Sequence, residues 1–135
     1  MAGLTKDTPT PTNIVVHQRS RVLEVQFDDG TEAKLTFEFL RVHSPSAEVR
    51  GHGPGQEVLQ VGKREVGIDA IDPVGNYAIQ PRFSDGHVSG IYSWDYLHEL
   101  ARDHDRLWQA YLARLADAGQ SRDPAPLQTT EIKRK

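Results

Sequence analysis

Six histidines and no cysteine set the limits of the chemistry open to this 135-residue chain. Without thiols, it can form no disulfide, thiolate nucleophile or cysteine-held zinc or iron–sulfur cluster. The histidines are His17, His43, His52, His87, His98 and His104, and none pairs as H-x-H or in an H-E-x-x-H helix. His43, His52 and His87 are the metal candidates, since neutral imidazole suits zinc or iron, but the fold must bring three distant segments together for a site to form. Asp85 and His87 with Ser44 or Ser46 have the residue types of a serine-hydrolase triad. No G-x-S-x-G elbow accompanies them, so a turn closed by His87 is the preferred reading. Gly51, Gly53 and Gly55 are not followed by Gly-Lys-Ser/Thr and form no phosphate loop. Trp94, Trp108 and Tyr111 read as core rather than as a stacking platform. No residue is assigned a catalytic or cofactor-binding role, and the chain reads as a non-enzyme with no cofactor expected.

The elements that position these residues follow from hydrophobic periodicity. Leu23, Val25 and Phe27 alternate with polar residues, and so do Ala33, Leu35, Phe37 and Phe39, which predicts a half-buried hairpin over Arg21–Leu40. A two-residue Asp29-Gly30 loop would set Val25 opposite Lys34, mixing apolar and polar side chains on one face. The three-residue loop Asp28-Asp29-Gly30 sets Val25 opposite Ala33 and Leu23 opposite Leu35, with Gly30 left-handed. Asn13–Gln18 and Glu65–Asp72 read as further strands, the second ended by a turn at Asp72-Pro73-Val74-Gly75. Asn76–Phe83 and Val88–Tyr92 read as a second hairpin around Ser84-Asp85-Gly86, aligning Phe83 with His87 and Ile79 with Ile91. Pro81 places its strand at an edge or a bulge. Ser44 as N-cap and Pro45 in the first turn predict a short helix ended by Gly51. From Ser93 the period changes: Leu97, Leu100, Leu107, Trp108, Tyr111, Leu112 and Leu115 form an amphipathic stripe, divisible at Asp103-His104-Asp105 and ended by Gly119. The fold class is α+β, an antiparallel β-sheet of hairpins with a C-terminal amphipathic helical segment packed on it.

Hydrophobic residues make up 37% of the chain and charged residues 26%, within the range of one globular domain. Residues 1–12 and 119–135 are rich in Pro, Thr, Gln and charge and read as flexible tails, leaving a domain over 13–118. The closing Lys133-Arg134-Lys135 is a short basic end. A net charge of −3 and a pI near 6.0 argue against nucleic acid as a partner. With neither a signal peptide nor a membrane-spanning run in the sequence, a cytoplasmic location is expected.

Three segments in order carry a resemblance: the hairpin ending in Phe39-Leu40-Arg41, the stretch from Ser44 to Gly51, and Asp85-Gly86-His87 running into Tyr92-Ser93-Trp94-Asp95-Tyr96-Leu97. Together they resemble the N-terminal domain of gamma-butyrobetaine hydroxylase and trimethyllysine hydroxylase, over about residues 13–100. Small bacterial proteins consist of this domain alone, and it also occurs attached to P-loop iron–sulfur carriers. The resemblance implies that iron and 2-oxoglutarate chemistry belongs to a separate catalytic domain, and that the N-terminal module holds a structural zinc by three cysteines and one histidine. Laid over that module, the cysteine positions fall near Ser44, Ser46 and Val49, and the histidine matches His87. Only His87 keeps a ligand there, so a zinc site of the family's kind is not expected. The implied function is a non-catalytic binding or interaction domain, accessory to iron–sulfur or redox proteins, with another protein as its unidentified partner and neither nucleic acid nor membrane. The alternative is a histidine-based zinc or iron site built on His87 with His43 or His52.

Overall fold

The computed structural model describes residues 7–51, 53 and 55–124. Strands β1 (Pro11–His17), β2 (Val22–Phe27) and β3 (Glu32–Thr36) form one antiparallel sheet in the order β1-β2-β3. Helices α1 (Phe37–Val42) and α2 (Ala47–Arg50) come next in the chain. Strands β4 (Ile68–Val74), β5 (Ala78–Phe83) and β6 (Tyr92–Ser93) form a second antiparallel sheet, and α3 (Trp94–Arg102) and α4 (His104–Ala118) close the fold. The architecture is α+β, with the hairpins and C-terminal helices the periodicity predicts.

The first hairpin has the expected register. Val25 faces Ala33, Leu23 faces Leu35, and Gly30 lies at φ 89°. This puts Leu23, Val25, Phe27 and Leu35 on one face, all buried, where each large side chain contributes about 2 kcal/mol. The strand does not run on through Phe39, however. Thr36 caps a helix instead, its hydroxyl accepting from the Phe39 amide at 3.0 Å, and Phe37, Phe39 and Leu40 enter the core from α1. A capping threonine followed by Glu38 in the first turn outweighs the period-two pattern.

Other boundaries also shift. β4 continues through Asp72, Pro73 and Val74, so the turn falls on Gly75-Asn76-Tyr77 rather than on Asp72–Gly75. The predicted pairing of Ile79 with Ile91 is off by one, since Ile79 faces Tyr92. Phe83 and His87 do close their turn, with the Phe83 amide donating to the His87 carbonyl at 3.0 Å. Between them and β6, Val88–Ile91 leaves the ladder, and a side-chain bond from Gln80 Nε2 to the Val88 carbonyl at 2.7 Å replaces strand pairing. Because β6 covers only Ala78 and Ile79, Pro81 lies where β5 has no strand neighbour on that side among the described residues. The short helix is capped by Ser46 rather than Ser44, because the Ser44 hydroxyl is engaged elsewhere.

The main core joins β2, β3, β5, α1 and α3 around Phe37, Phe39, Tyr92, Leu97 and Leu100. Helix α3 lies on β3 and β6 and against α4. Of the stripe expected against the sheet, Tyr111 and Leu115 instead form a second small cluster with Val42, on which Leu112 rests half-buried, while half-buried Trp108 touches both clusters. Past Gly119, in the segment expected as a tail, the carbonyls of Ser121 and Arg122 accept from the amides of Gly62 and Arg64 at 3.0 Å each. The Arg122 guanidinium donates twice to the buried carboxylate of Glu38, at 2.7 and 2.9 Å.

Candidate functional site

The three segments that carried the resemblance meet at one polar cluster built around the buried side chains of Arg41, Ser44 and His87. Arg41, near the end of α1, is itself buried and donates through Nε to Asp85 Oδ2 at 2.9 Å and through Nη1 to Gln60 at 3.0 Å. Lys63 reaches the same Asp85 oxygen at 2.6 Å. Burial pushes the Asp85 carboxyl up, but the bond from Lys63 and the charges of Arg41 and Lys63 overcome it and hold the group below its ordinary range. Asp85 in turn accepts the backbone amide of His87 at 3.3 Å, so the Ser84-Asp85-Gly86 turn is tied to α1 and presents His87 inward.

His87 bridges two side chains. Its Nδ1 lies 3.0 Å from Glu48 Oε1 on α2, and its Nε2 lies 2.8 Å from Ser44 Oγ. A carboxylate only accepts, so Nδ1 carries the proton and the Ser44 hydroxyl donates to Nε2. Burial lowers the pKa of His87, the Arg41 charge lowers it further, and Glu48 and Asp85 oppose without prevailing. The neutral ring is the form this site holds.

Serine, histidine and glutamate linked this way have the connectivity of a hydrolase triad, with Glu48 in the place sequence reasoning gave to Asp85. The serine is nevertheless sealed. Ser44 is 1% exposed, and a Cβ placed on Gly90 would stand 2.4 Å from its Oγ. No substrate carbonyl fits where a bare glycine already closes the approach. The hydroxyl also accepts from the Ser46 amide at 3.3 Å and meets the Tyr92 hydroxyl, so Ser44 serves the loop that leads into α2.

The same geometry bears on a metal. Ser46 Oγ accepts from the Glu48 amide at 3.1 Å as a helix cap, Val49 is buried and has no donor atom, and both ring nitrogens of His87 are spent on Glu48 and Ser44. This donor set does not fit tetrahedral zinc. His43 is engaged elsewhere: its Nδ1 bonds the Phe39 carbonyl at 2.9 Å and its ring packs on Phe39 and Tyr111, where burial lowers its pKa. His52 lies outside the described residues. Among the described residues, no three His, Cys, Asp or Glu side chains converge as metal ligands would.

Sequence reasoning named Ser44, Ser46, Val49 and His87 but missed Glu48, Gln60 and Lys63. Nothing in the spacing of these polar residues distinguishes them, and only the path of the loop after α2 brings Gln60 and Lys63 to the cluster.

Next to the sealed cluster a groove of about 560 Å³ stays open. Pro45 and Arg50 form one side, Tyr77 and Ile91 a second, and the first turns of α3, with Asp95, Tyr96 and Glu99, the third. Tyr77 and Ile91 are 43% and 45% exposed, large apolar surface that folding leaves uncovered. The Arg50 guanidinium lies over the Tyr96 ring, 4.8 Å from its centre, and the Tyr96 hydroxyl donates to the His43 carbonyl at 2.6 Å. The sequence held one sign of this groove, an aspartate and a glutamate four residues apart around a tyrosine at the start of an amphipathic helix.

No helix among the described residues is long and apolar enough to cross a membrane. Several solved structures resemble most of the chain. One solution NMR structure is 47% identical, with a TM-score of 0.76, over 93% of this chain and 99% of that one. A second is 46% identical, with a TM-score of 0.75, over 98% and 100%. The crystal structure of a protein of unknown function of the DUF971 family from Acidithiobacillus ferrooxidans is 41% identical, with a TM-score of 0.57, over 68% of this chain and 92% of that one. No curated protein matches. Residues 14–98, which contain every member of the buried cluster, match the family model described as gamma-butyrobetaine hydroxylase-like, N-terminal, and the chain belongs to that family.

Proposed function

We propose that the protein is a non-catalytic interaction domain that binds a protein partner through the groove between Pro45, Tyr77, Ile91 and α3. The observation that carries this reading is the pairing of exposed Tyr77 and Ile91 in an open groove with a hydrogen-bonded polar cluster behind it. Preorganised walls limit the ordering entropy that binding must overcome, and exposed aromatic and aliphatic side chains supply apolar contact. The sealing of Ser44 weighs against hydrolysis, and the donor set around His87 weighs against a resident zinc or iron. By analogy with the family's occurrence beside iron–sulfur carriers, the partner is an iron–sulfur or redox protein met in the cytoplasm.

The test is site-specific photocrosslinking in cells. A benzophenone side chain at Ile91 is expected to capture one discrete partner, whereas the same group at exposed Asp117 on α4 captures none. Equal labelling from both positions, or none from Ile91, would remove the groove as the interaction surface.

A further inference from the structure

The groove carries a charge pattern that narrows what enters it. Asp95 and Glu99 stand four residues apart on α3, so their carboxylates lie about one helical turn apart along the same wall. Asp95 accepts from the Ser93 hydroxyl and the Tyr96 amide through Oδ1, and among the described residues neither carboxylate is in a salt bridge. Among the described residues the one cation on the lining, Arg50, is already stacked on Tyr96. Two carboxylates against one engaged guanidinium leave the groove with a negative field, and its concave walls concentrate that field. The stacking of Arg50 also shows that the tyrosine face accepts a guanidinium. Tyr77 and Ile91 form an apolar wall beside the carboxylates, suited to the methylene stem of a long basic side chain whose head reaches the acids. An acidic segment would meet Asp95 and Glu99 and be repelled.

We propose that the groove docks a lysine- or arginine-bearing extended segment of the partner protein, with its basic head between Asp95 and Glu99 and an adjacent apolar side chain on Tyr77 and Ile91. This rests on the groove being the interaction surface, and its test is separable from that one.

The experiment is an NMR titration of the full ¹⁵N-labelled chain with two synthetic six-residue peptides, one alternating leucine and arginine, the other leucine and glutamate. The arginine peptide is expected to give saturable shifts at Tyr77, Ile91 and Tyr96, weakened by added salt, and the glutamate peptide none. The double variant Asp95→Asn, Glu99→Gln should weaken the arginine peptide about tenfold while leaving the rest of the spectrum folded. Stronger binding of the glutamate peptide, shifts centred elsewhere, or no shift with either peptide at millimolar concentration would overturn the proposal. So would binding that requires deletion of residues 125–135, because the occupant would then be the chain's own Lys133-Arg134-Lys135 end. A partner captured at Ile91 alongside silent peptides would leave the interaction surface standing and remove only its basic specificity.

Discussion

His87 is held neutral between a hydroxyl and a carboxylate, and burial, its largest influence, lowers its pKa below the ordinary 6.5, as burial also does for His43. A depressed folded pKa means that the unfolded chain takes up these protons first as pH falls. The stability the neutral rings contribute is therefore complete above about pH 6.5 and is lost below it. The melting temperature is expected to hold steady at neutral pH and to decline as pH falls below about 6.5, and His87→Gln should flatten that decline in a thermal-denaturation series. A profile unaffected by the substitution would show that His87 does not carry the effect. Gly90 allows a second check. Gly90→Ala would force a methyl group into Ser44 Oγ and should cost about 1–3 kcal/mol, as overpacking does. Adding Ser44→Ala removes that oxygen, so the two substitutions should be non-additive in urea denaturation, the double variant recovering part of the loss. At this scale Ser44 and His87 were legible, because serine and histidine carry recognisable chemistry. Glu48 was not: an exposed glutamate on a four-residue helix looks like any solvated charge.

Among the elements, the first hairpin was readable down to its register, because opposed residues must share a face and only one loop length matches Val25 to Ala33. The change from β3 to α1 was not, because Phe37 and Phe39 fit a strand's alternation while the cap of Thr36 decides for a helix. Ile91 was misplaced for a related reason. A face-matching rule assumes a continuous ladder, and Val88–Ile91 leaves the ladder, which puts Ile91 on the groove. Composition likewise hid the bracing role of the segment beyond α4. Arg122 lies in a polar stretch, yet its guanidinium neutralises Glu38, whose side chain is 6% exposed, and lies over Trp108 at 5.0 Å. Burial and the same Glu38 charge push the Tyr111 hydroxyl up to about 12. Arg122→Ala should thus leave a buried carboxylate unpaired and cost about 3 kcal/mol or more in chemical denaturation. Replacing both Glu38 and Arg122 with leucine should recover most of it. A loss of less than about half a kcal/mol for Arg122→Ala would mean that the segment after Gly119 does not brace the fold.

For the molecule as a whole, the order of three short segments identified the family, because those segments converge on a single cluster. What family order could not convey is how the cluster holds together in a chain without cysteine. A zinc held by three thiolates and an imidazole couples metal binding to folding, so removing the metal unfolds the site. Here the segment from Ser44 to Val49 is held without thiolates. Ser44 donates to His87, Ser46 caps α2, Val49 is buried, and Arg41 and Lys63 fix Asp85 in the adjoining turn. Among the described residues no buried side-chain polar atom lacks a hydrogen-bond partner, so the cluster needs no ion to complete it. Melting is therefore expected to be identical before and after exhaustive chelation, and native mass spectrometry of the untagged protein should give the polypeptide mass alone. Added zinc should raise the melting temperature by no more than weak surface binding would, since stabilisation by a ligand grows with its affinity for the folded state. The contrary result has a defined form: a chelator-sensitive transition that disappears in His87→Ala would place a metal at His87. The hydrogen bonds from Ser44 and to Glu48 would then have to break to admit it.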